Sequence, residues 1–327
     1  SRVSELAEKK SKESRKREEL HAQVNEAEET NRSIDRLERK LITVKAELKA
    51  DKDALAESVQ AETEIEFELQ GLSVISEHEY SEAKEALKQS GRDILVIDIQ
   101  DTQGPGGERI GALTYDELLA QGDPEFAYTL PNDEWDALAL NYTSGTTGRP
   151  KGVVYSHRGA WTNTVNNVIT WEMPHHPVYL WTLPLFHCNG WCFPWTITLL
   201  AGTHVFLRSP KADAIYNAFA EEGVTHLCGA PIIMSMISGA APQDQREFTQ
   251  HVKMMTAAAP PPASVIASIE AMGISITHVY GLTEVYGPAV VCAEKPSWRE
   301  LSVDDRANLK ARQGVAYELE EDVRVLN

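Results

Sequence analysis

The chain has 327 residues, of which 42% are hydrophobic and 24% charged, so it is long enough to form a core of ordinary domain size. Its formal net charge is −18, unevenly distributed: residues 1–60 contain 14 basic and 14 acidic side chains, whereas the rest contain 17 and 35. Such an acidic body disfavours nonspecific binding to nucleic acid or anionic membranes. No apolar run approaches the roughly 20 residues that cross a bilayer. We therefore expect no membrane span and, because of the acidic charge, no nucleic-acid partner.

Residues 1–65 are predicted to form one long α-helix that makes up a separate segment. They contain neither glycine nor proline and are rich in residues that favour helices. From residue 34 the apolar side chains recur in steps of three and four, at Ile34, Leu37, Leu41, Val44 and Leu48. This spacing indicates a coiled-coil seam. Two interpretations remain open: a coiled coil through which the chain self-associates, and a solvated helix covered with paired charges.

Residues 66–327 show a different pattern, in which short β-rich runs alternate with amphipathic stretches. Ser76-x-x-Glu79 and Thr114-x-x-Glu117 are typical of capping boxes that open helices, which we expect to end at Gly91 and Gly122. The run 94–97 is predicted to be a buried strand. Further strands are predicted near 137–142, 153–155, 178–182, 205–207, 226–228 and 274–279. The alternation predicts an α/β domain with a largely parallel sheet flanked by helices.

The four cysteines lie in apolar sequence, and we recognise no signal peptide ahead of them. This pattern is typical of reduced, buried thiols in a cytoplasmic protein. Cys188 and Cys192 flank a short turn after His187, which raises the alternative of a zinc site. No second pair at ligand spacing accompanies them, so zinc is the weaker interpretation.

The stretch from Tyr142 to Gly152 carries the strongest chemical signal. Its three glycines let the backbone turn sharply and bring amide groups close to an anion. Four serine and threonine hydroxyls add donors, and Lys151 adds a positive charge in an acidic body. It is not a Walker-type loop, because Pro150 precedes the lysine, Gly152 follows it and no helix begins there. The stretch predicts a cradle for a polyphosphate, with a merely polar glycine-rich hairpin as the alternative.

Together with four later segments, this loop resembles the signature of the adenylate-forming (AMP-binding) superfamily, which includes acyl-CoA synthetases, luciferases and peptide-synthetase adenylation domains. The later segments follow in the family's order: 183–187, 228–231, 257–260 and 280–284. Ala257 stands where a glycine is more usual. The resemblance runs from about residue 70 to 327. In detail it is greatest to short- or medium-chain and aromatic acyl-CoA synthetases, such as methylmercaptopropionate-CoA ligases and plant peroxisomal acyl-activating enzymes.

The resemblance implies a role for each segment, with ATP and Mg²⁺ as cofactors, CoA as co-substrate and a small or medium-chain carboxylic acid as substrate. Catalytic roles fall on Lys151, His187 and Glu284, and the glutamate is also the implied Mg²⁺ ligand. The implied nucleotide contacts are Thr143, Ser144, Gly145, Thr146, Thr147, Gly148, Ala258, Ala259, Pro260, Tyr280, Gly281 and Thr283. Independently of any family, joining a carboxylate to the α-phosphate of ATP brings two anions together. Cations are therefore needed to neutralise them.

The chain departs from the family pattern at both ends. Only 43 residues follow Glu284, and we recognise no motif for the family's C-terminal domain, whose lysine drives adenylation. Much of the family's N-terminal subdomain is also unmatched. We therefore expect acyl-CoA formation to be impaired. Three hypotheses follow: an acyl-CoA synthetase fragment, a coiled-coil scaffold carrying an inactive remnant of the fold, and a regulatory ATP-binding module.

Overall fold

The computed structural model describes residues 77–101, 109–143 and 150–324. The predicted helix over 1–65, the boundary at 65/66 and the capping residue Ser76 lie outside these ranges and stay predictions. The first described elements are α1 (Glu77–Ser90), β1 (Ile97–Asp98), β2 (Leu113–Thr114) and α2 (Tyr115–Leu119). Strands β1 and β2 pair in parallel as a small separate sheet.

The capping box that opens α2 is confirmed. The backbone N–H of Glu117 donates to Thr114 Oγ1 at 3.2 Å, and the N–H of Thr114 donates to Glu117 Oε2 at 2.7 Å. The helix ends at Leu119, before the predicted stop at Gly122. The prediction of a buried strand over 94–97 is wrong, since Ile94 and Leu95 are 48% and 61% exposed. An apolar run is buried only where other elements cover it, and this one is left largely open.

The next two strands form an antiparallel hairpin rather than part of the parallel sheet. Strand β3 (Ala137–Thr143) pairs with β4 (Lys151–Ser156), and Thr143 lies opposite Lys151 at the end of the ladder. Helix α3 (His157–Thr170) follows directly. It is capped by Ser156, whose side chain accepts a hydrogen bond from the N–H of Gly159 at 3.0 Å. The predicted phosphate loop therefore connects the two strands of the hairpin, and β4 leads from it directly into α3.

Within the part of the chain that the structure describes, the central sheet has seven strands, and it confirms the predicted α/β class. Its strands are β5 (Val178–Trp181), β6 (Thr203–Phe206), β7 (His226–Gly229), β8 (Val252–Thr256), β9 (Ile274–Leu282), β10 (Gly287–Val291) and β11 (Val315–Ala316). Their spatial order is β11-β10-β9-β8-β7-β5-β6. Strands β5 to β9 run parallel, whereas β10 and β11 are antiparallel additions at one side.

Helices cover both faces of this sheet. They are α4 (Phe193–Leu199), α5 (Ala212–Glu221), α6 (Pro231–Ser238), α7 (Ala263–Ala271) and α8 (Val303–Lys310), besides α3. Neighbouring residues of one strand belong to different apolar clusters: Leu227 packs with α5 to α8, and Cys228 packs with α4 and the end of α3. This two-residue alternation is what a strand buried on both faces requires.

All four cysteines are buried and unpaired, as the sequence predicts. Among the residues that the structure describes, none of the helices combines the length and apolar character needed to span a bilayer.

The buried His226 makes stability depend on pH. Its ring packs edge-on against Trp171 at 4.9 Å, and Nδ1 lies 2.8 Å from Thr225 Oγ1. Burial lowers its pKa from 6.5 to about 4, and the charges of Lys253 and His251 add to the effect. Between pH 6.5 and pH 4, the imidazole of His226 binds a proton in the unfolded chain but stays neutral in the folded chain. The contribution of the neutral His226 to stability is therefore fully present above pH 6.5 and is lost as the pH falls towards 4.

We expect His226→Gln to remove this part of the pH dependence. At one pKa unit per 1.36 kcal/mol, the difference in unfolding free energy between the unchanged chain and the variant should change by about 3 kcal/mol between pH 7 and pH 4. Urea unfolding at several pH values measures it. Taking the difference cancels the contribution of carboxylates that titrate over the same range. If the unfolding free energies of the two proteins changed with pH in parallel, the lowered pKa assigned to His226 would be contradicted.

Candidate active site

Four of the predicted motif segments meet at one edge of the central sheet. Trp181, Cys228, Met255 and Thr277 lie side by side across β5, β7, β8 and β9. Because these strands are parallel, the segments that follow them leave the sheet at the same edge. Those segments contain residues 183–187, 230–231 and 257–260, and β9 itself continues beyond its pairing with β8 through residues 280–282 to Thr283 and Glu284. The carboxyl edge of a parallel sheet is where α/β proteins bind ligands, so the fold brings four sequence-predicted segments to one candidate site.

His187 lies at this edge and immediately precedes an unusual turn. All five residues from Cys188 to Cys192 have positive φ, between 43° and 64°, so the backbone makes a left-handed helical turn. For residues other than glycine this conformation costs about 1–2 kcal/mol each. Such strain persists only where the surroundings enforce it, and it concentrates at functional sites. The exposed His187 is thus carried by a rigid, strained segment.

The left-handed turn contacts the segment that carries the predicted phosphate and metal contacts. Cys188 Sγ lies 3.4 Å from Thr283 Oγ1, and Cys192 Sγ donates to the carbonyl oxygen of Tyr286 at 3.3 Å. Burial raises the pKa of the Cys188 thiol, and the nearby Glu284 charge adds to the rise. Burial also raises the pKa of Cys192. Both thiols are therefore neutral hydrogen-bonding groups rather than nucleophiles.

Glu284 lies in a short 3₁₀ turn (Thr283–Val285) that follows β9. Its side chain is exposed, and within the described ranges no hydrogen bond or ion pair occupies the carboxylate. A free carboxylate oxygen is a ligand that Mg²⁺ accepts, so the residue fits the metal that the resemblance implies. Tyr280, four residues earlier, is 47% exposed and offers a ring face at the same edge.

The segment predicted to hold adenine follows β8 directly. Ala257 is buried, whereas Ala258 and Pro260 are exposed and Ala259 is partly exposed. Ala258 has φ of 77°, a left-handed conformation that a side chain disfavours. A second strained backbone position therefore lies at the carboxyl edge, among residues already predicted to bind nucleotide.

The phosphate loop can be located only by its two ends. Thr143 and Lys151 face each other at the end of the β3–β4 ladder, and Lys151 is exposed. Residues 144–149, with Ser144, Gly145, Thr146, Thr147 and Gly148, lie outside the described residues, so their grip on a phosphate stays a prediction.

Two residues of the site that sequence reasoning missed are Tyr155 and Asn163. The Tyr155 hydroxyl donates to the carbonyl oxygen of Thr283 at 2.8 Å, and burial raises its pKa far above the ordinary value, which keeps the proton on oxygen. Asn163 Nδ2 lies 3.3 Å from the carbonyl oxygen of Val285. The sequence signal that could have indicated Asn163 is a run of polar residues on α3, all of them buried in the structure: Asn163, Thr164, Asn166 and Asn167. Buried amides require partners.

A shallow depression of about 340 Å³ lies elsewhere, on the outer side of α3. It is lined by Arg158, Trp161, Thr162, Val165 and Leu319. The guanidinium of Arg158 is occupied by Glu134, because its Nη1 donates to both carboxylate oxygens at 3.1 Å. The lining side chains include no carboxylate, imidazole, thiol or amine, so the carboxyl edge is the better candidate.

The chain is similar in sequence to known proteins. The family model described as AMP-binding enzyme matches residues 22–327. A probable acyl-activating enzyme 6 from Arabidopsis thaliana is 51% identical over 228 residues, which are 68% of this chain and 41% of the relative. A peroxisomal trans-cinnamate:CoA ligase from Petunia hybrida is 43% identical over 258 residues, which are 78% of this chain and 45% of the relative. The chain thus spans less than half the length of these relatives.

Among solved structures, an O-succinylbenzoate coenzyme A synthetase from Bacillus subtilis, in complex with ATP and a magnesium ion, gives a TM-score of 0.52. The match covers 67% of this chain and 45% of that one, at 20% sequence identity. A likeness at this identity shows the fold alone.

Proposed function

Because the chain belongs to the family of AMP-binding enzymes, we propose that its carboxyl edge binds ATP with Mg²⁺ and activates a carboxylic acid as an acyl-adenylate on the way to a CoA thioester. The observation that carries this proposal is the convergence of four motif segments at that edge, in register across β5, β7, β8 and β9. The placement of these segments follows from the strand pairings and does not rest on the family resemblance.

The proposed division of labour follows the chemistry of each side chain. Amide and hydroxyl donors of residues 143–148, with the ammonium group of Lys151, hold the phosphates, and Thr283 adds a further hydroxyl. Tyr280, beside Gly281, and the loop of Ala258, Ala259 and Pro260 hold the adenine ring between them. His187 lies at the acid substrate, on its strained turn.

The need for cations follows from the reaction itself. A carboxylate oxygen attacks the α-phosphorus, and the bond from that phosphorus to pyrophosphate breaks. Both partners are anionic, so charge has to be neutralised before they approach. Glu284 would hold a magnesium ion, which would supply electrostatic stabilisation of the pyrophosphate leaving group. The chain's own contributions are the positive charge of Lys151 and the carboxylate that the 3₁₀ turn carries.

The substrate class is proposed from the relatives. The names of two of them specify trans-cinnamate and 2-methylpropanoate as acids joined to CoA. We propose a small or medium-chain, largely apolar acid for this chain, with CoA as the acyl acceptor. The petunia relative is named as peroxisomal, so the cytoplasmic location expected from the cysteines stays a proposal, as does self-association through residues 1–65.

ATP binding by the full chain tests this function. We expect isothermal titration to show heat with ATP and Mg²⁺, and Lys151→Ala to weaken binding at least about tenfold, the value of one charge-assisted hydrogen bond. Glu284→Ala should abolish the strengthening of ATP binding by Mg²⁺. Lys88→Ala serves as the matched control, because Lys88 is an exposed lysine on α1. It should bind as the unchanged chain does.

The other hypotheses appear as different outcomes of the same series. Absence of heat with the unchanged chain would refute the proposed site and leave the scaffold interpretation. Heat without carboxylate-dependent exchange of pyrophosphate into ATP would identify a binding module rather than an enzyme. Exchange that depends on an added acid would support the activation step directly.

A further inference from the structure

The backbone on both sides of Glu284 is held by side chains from one other segment. The Tyr155 hydroxyl donates to the carbonyl oxygen of Thr283 at 2.8 Å, and Asn163 Nδ2 contacts the carbonyl oxygen of Val285 at 3.3 Å. Tyr155 is in β4 and Asn163 in α3, which are continuous in sequence. Residues 151–170 therefore fix the residue before Glu284 and the residue after it.

Tyr286 forms a third attachment between the same two segments. Its ring stacks on that of Tyr155, with 4.1 Å between the centroids and 26° between the planes. Its hydroxyl accepts a hydrogen bond from the N–H of Ser156 at 3.0 Å. Gly159 leaves room for this ring, since an added Cβ would lie 2.3 Å from Tyr286 Cζ. The rings of Tyr155 and Tyr286 thus pack against each other at the point where β4 ends.

Glu284 depends on these attachments for its position. Its carboxylate has neither a hydrogen bond nor an ion pair within the described residues, so among these contacts those of the turn's backbone set where the side chain starts. Mg²⁺ demands near-octahedral geometry and tolerates little displacement of a ligand. The same segment begins at Lys151, about 13 Å before Tyr155 at the rise of an extended strand. Tyr155 therefore connects the proposed phosphate lysine with the turn that carries the proposed metal ligand.

We propose that Tyr155 is a positioning residue that acts through Glu284, its hydroxyl holding the 3₁₀ turn in the orientation that magnesium binding requires. This role rests on the proposed function. Asn163 supports the same turn from its other end.

Tyr155→Phe isolates the hydroxyl, because the ring that stacks on Tyr286 is kept. Isothermal titration of ATP into the full chain is done in EDTA and at increasing MgCl₂ concentrations. Loss of a group that orients a metal ligand typically costs about 10- to 100-fold in metal affinity. We expect Tyr155→Phe to raise the Mg²⁺ concentration needed for half-maximal strengthening of ATP binding about tenfold. ATP affinity in EDTA should remain within about twofold, well under the value of one hydrogen bond.

Two comparisons separate positioning from a general loss of stability. Tyr216→Phe is the matched control, because the buried Tyr216 hydroxyl also donates to a backbone carbonyl, that of Ile237, at 3.1 Å. It should leave the Mg²⁺ dependence unchanged. In a double-mutant cycle, Tyr155→Phe should cause no further loss once Glu284→Gln is present, since groups that act through one another are not additive.

The outcomes distinguish this inference from the function on which it rests. If the unchanged chain takes up no ATP at any Mg²⁺ concentration, the proposed function and the role of Tyr155 are both overturned. If Mg²⁺ strengthens ATP binding equally in the unchanged chain and in Tyr155→Phe, the function stands and the positioning role is overturned. Equal shifts in Tyr155→Phe and Tyr216→Phe would also overturn it, because both would then report only stability.

Discussion

Lys310→Ala is expected to lower the free energy of unfolding by about 3–5 kcal/mol, the usual cost of removing one partner from a buried ion pair. Lys310 is 3% exposed, on α8. Its ammonium group forms ion pairs with Glu270 at the end of α7 and, at 2.6 Å, with Glu294. The Glu270 side chain is itself 7% exposed. Without the lysine, the buried carboxylate of Glu270 would keep, among the described residues, the partly exposed Arg306 as its ion-pair partner. Urea unfolding followed by tryptophan fluorescence measures the loss.

Arg158→Ala provides the matched control for this prediction. Arg158 and Glu134 form an ion pair, but their side chains are 51% and 56% exposed. Exposed pairs contribute about 0–1 kcal/mol because water and salt screen them. Equal losses in the two variants would contradict the view that burial makes the Lys310 network important.

Much of the central sheet could be predicted from sequence, and the misses have physical reasons. Strands such as β5, β7 and β9 are short apolar runs between helical segments, and their parallel order follows from the alternation. Strand β8 escaped prediction because Lys253 interrupts its apolar pattern. Its ammonium group instead donates to the carbonyl oxygen of Trp171 at 3.1 Å, while neighbouring residues are buried. A long side chain can bury its stem and keep its charge paired.

The candidate site was predictable in its motifs but not in what holds them in place. The segments around His187 and Glu284 are continuous in sequence, so their residue types are visible directly. The left-handed turn at 188–192 is different, because only tertiary contacts sustain its strain. One of them is the bond from Asn167 Nδ2 to the carbonyl oxygen of Trp191, at 2.9 Å. Sequence spacing carries no signal for such a contact between residues 24 positions apart.

Gly281→Ala is expected to have the largest effect at the site itself. Gly281 lies in β9 opposite Pro288 of β10, and the two strands approach very closely there. An added Cβ would lie 1.6 Å from the carbonyl oxygen of Gly287 and 2.8 Å from Pro288 Cα. Both obstacles are backbone atoms, so no side-chain rotation relieves the clash. Overpacking of this kind costs about 3 kcal/mol or more.

Strand β10 has no room to retreat from that methyl group. On its other side, the Cα of Gly287 approaches the left-handed turn so closely that a Cβ there would lie 2.9 Å from Trp191 Cα. The strain must therefore separate β9 from β10 between Tyr280 and Thr283, the residues proposed to contact adenine and phosphate. We expect Gly281→Ala to lower the unfolding free energy by about 3 kcal/mol and to weaken ATP binding by at least about tenfold.

Gly223→Ala distinguishes lack of space from the general cost of replacing glycine. Gly223 has φ of 64° and nothing within 4 Å of an added Cβ, so alanine there meets only the left-handed penalty of about 1 kcal/mol. Gly281 has no such positive φ, and its requirement is for space alone. If the two variants lost equal stability, or if Gly281→Ala bound ATP as the unchanged chain does, the close packing of β9, β10 and the left-handed turn could not be what shapes the site.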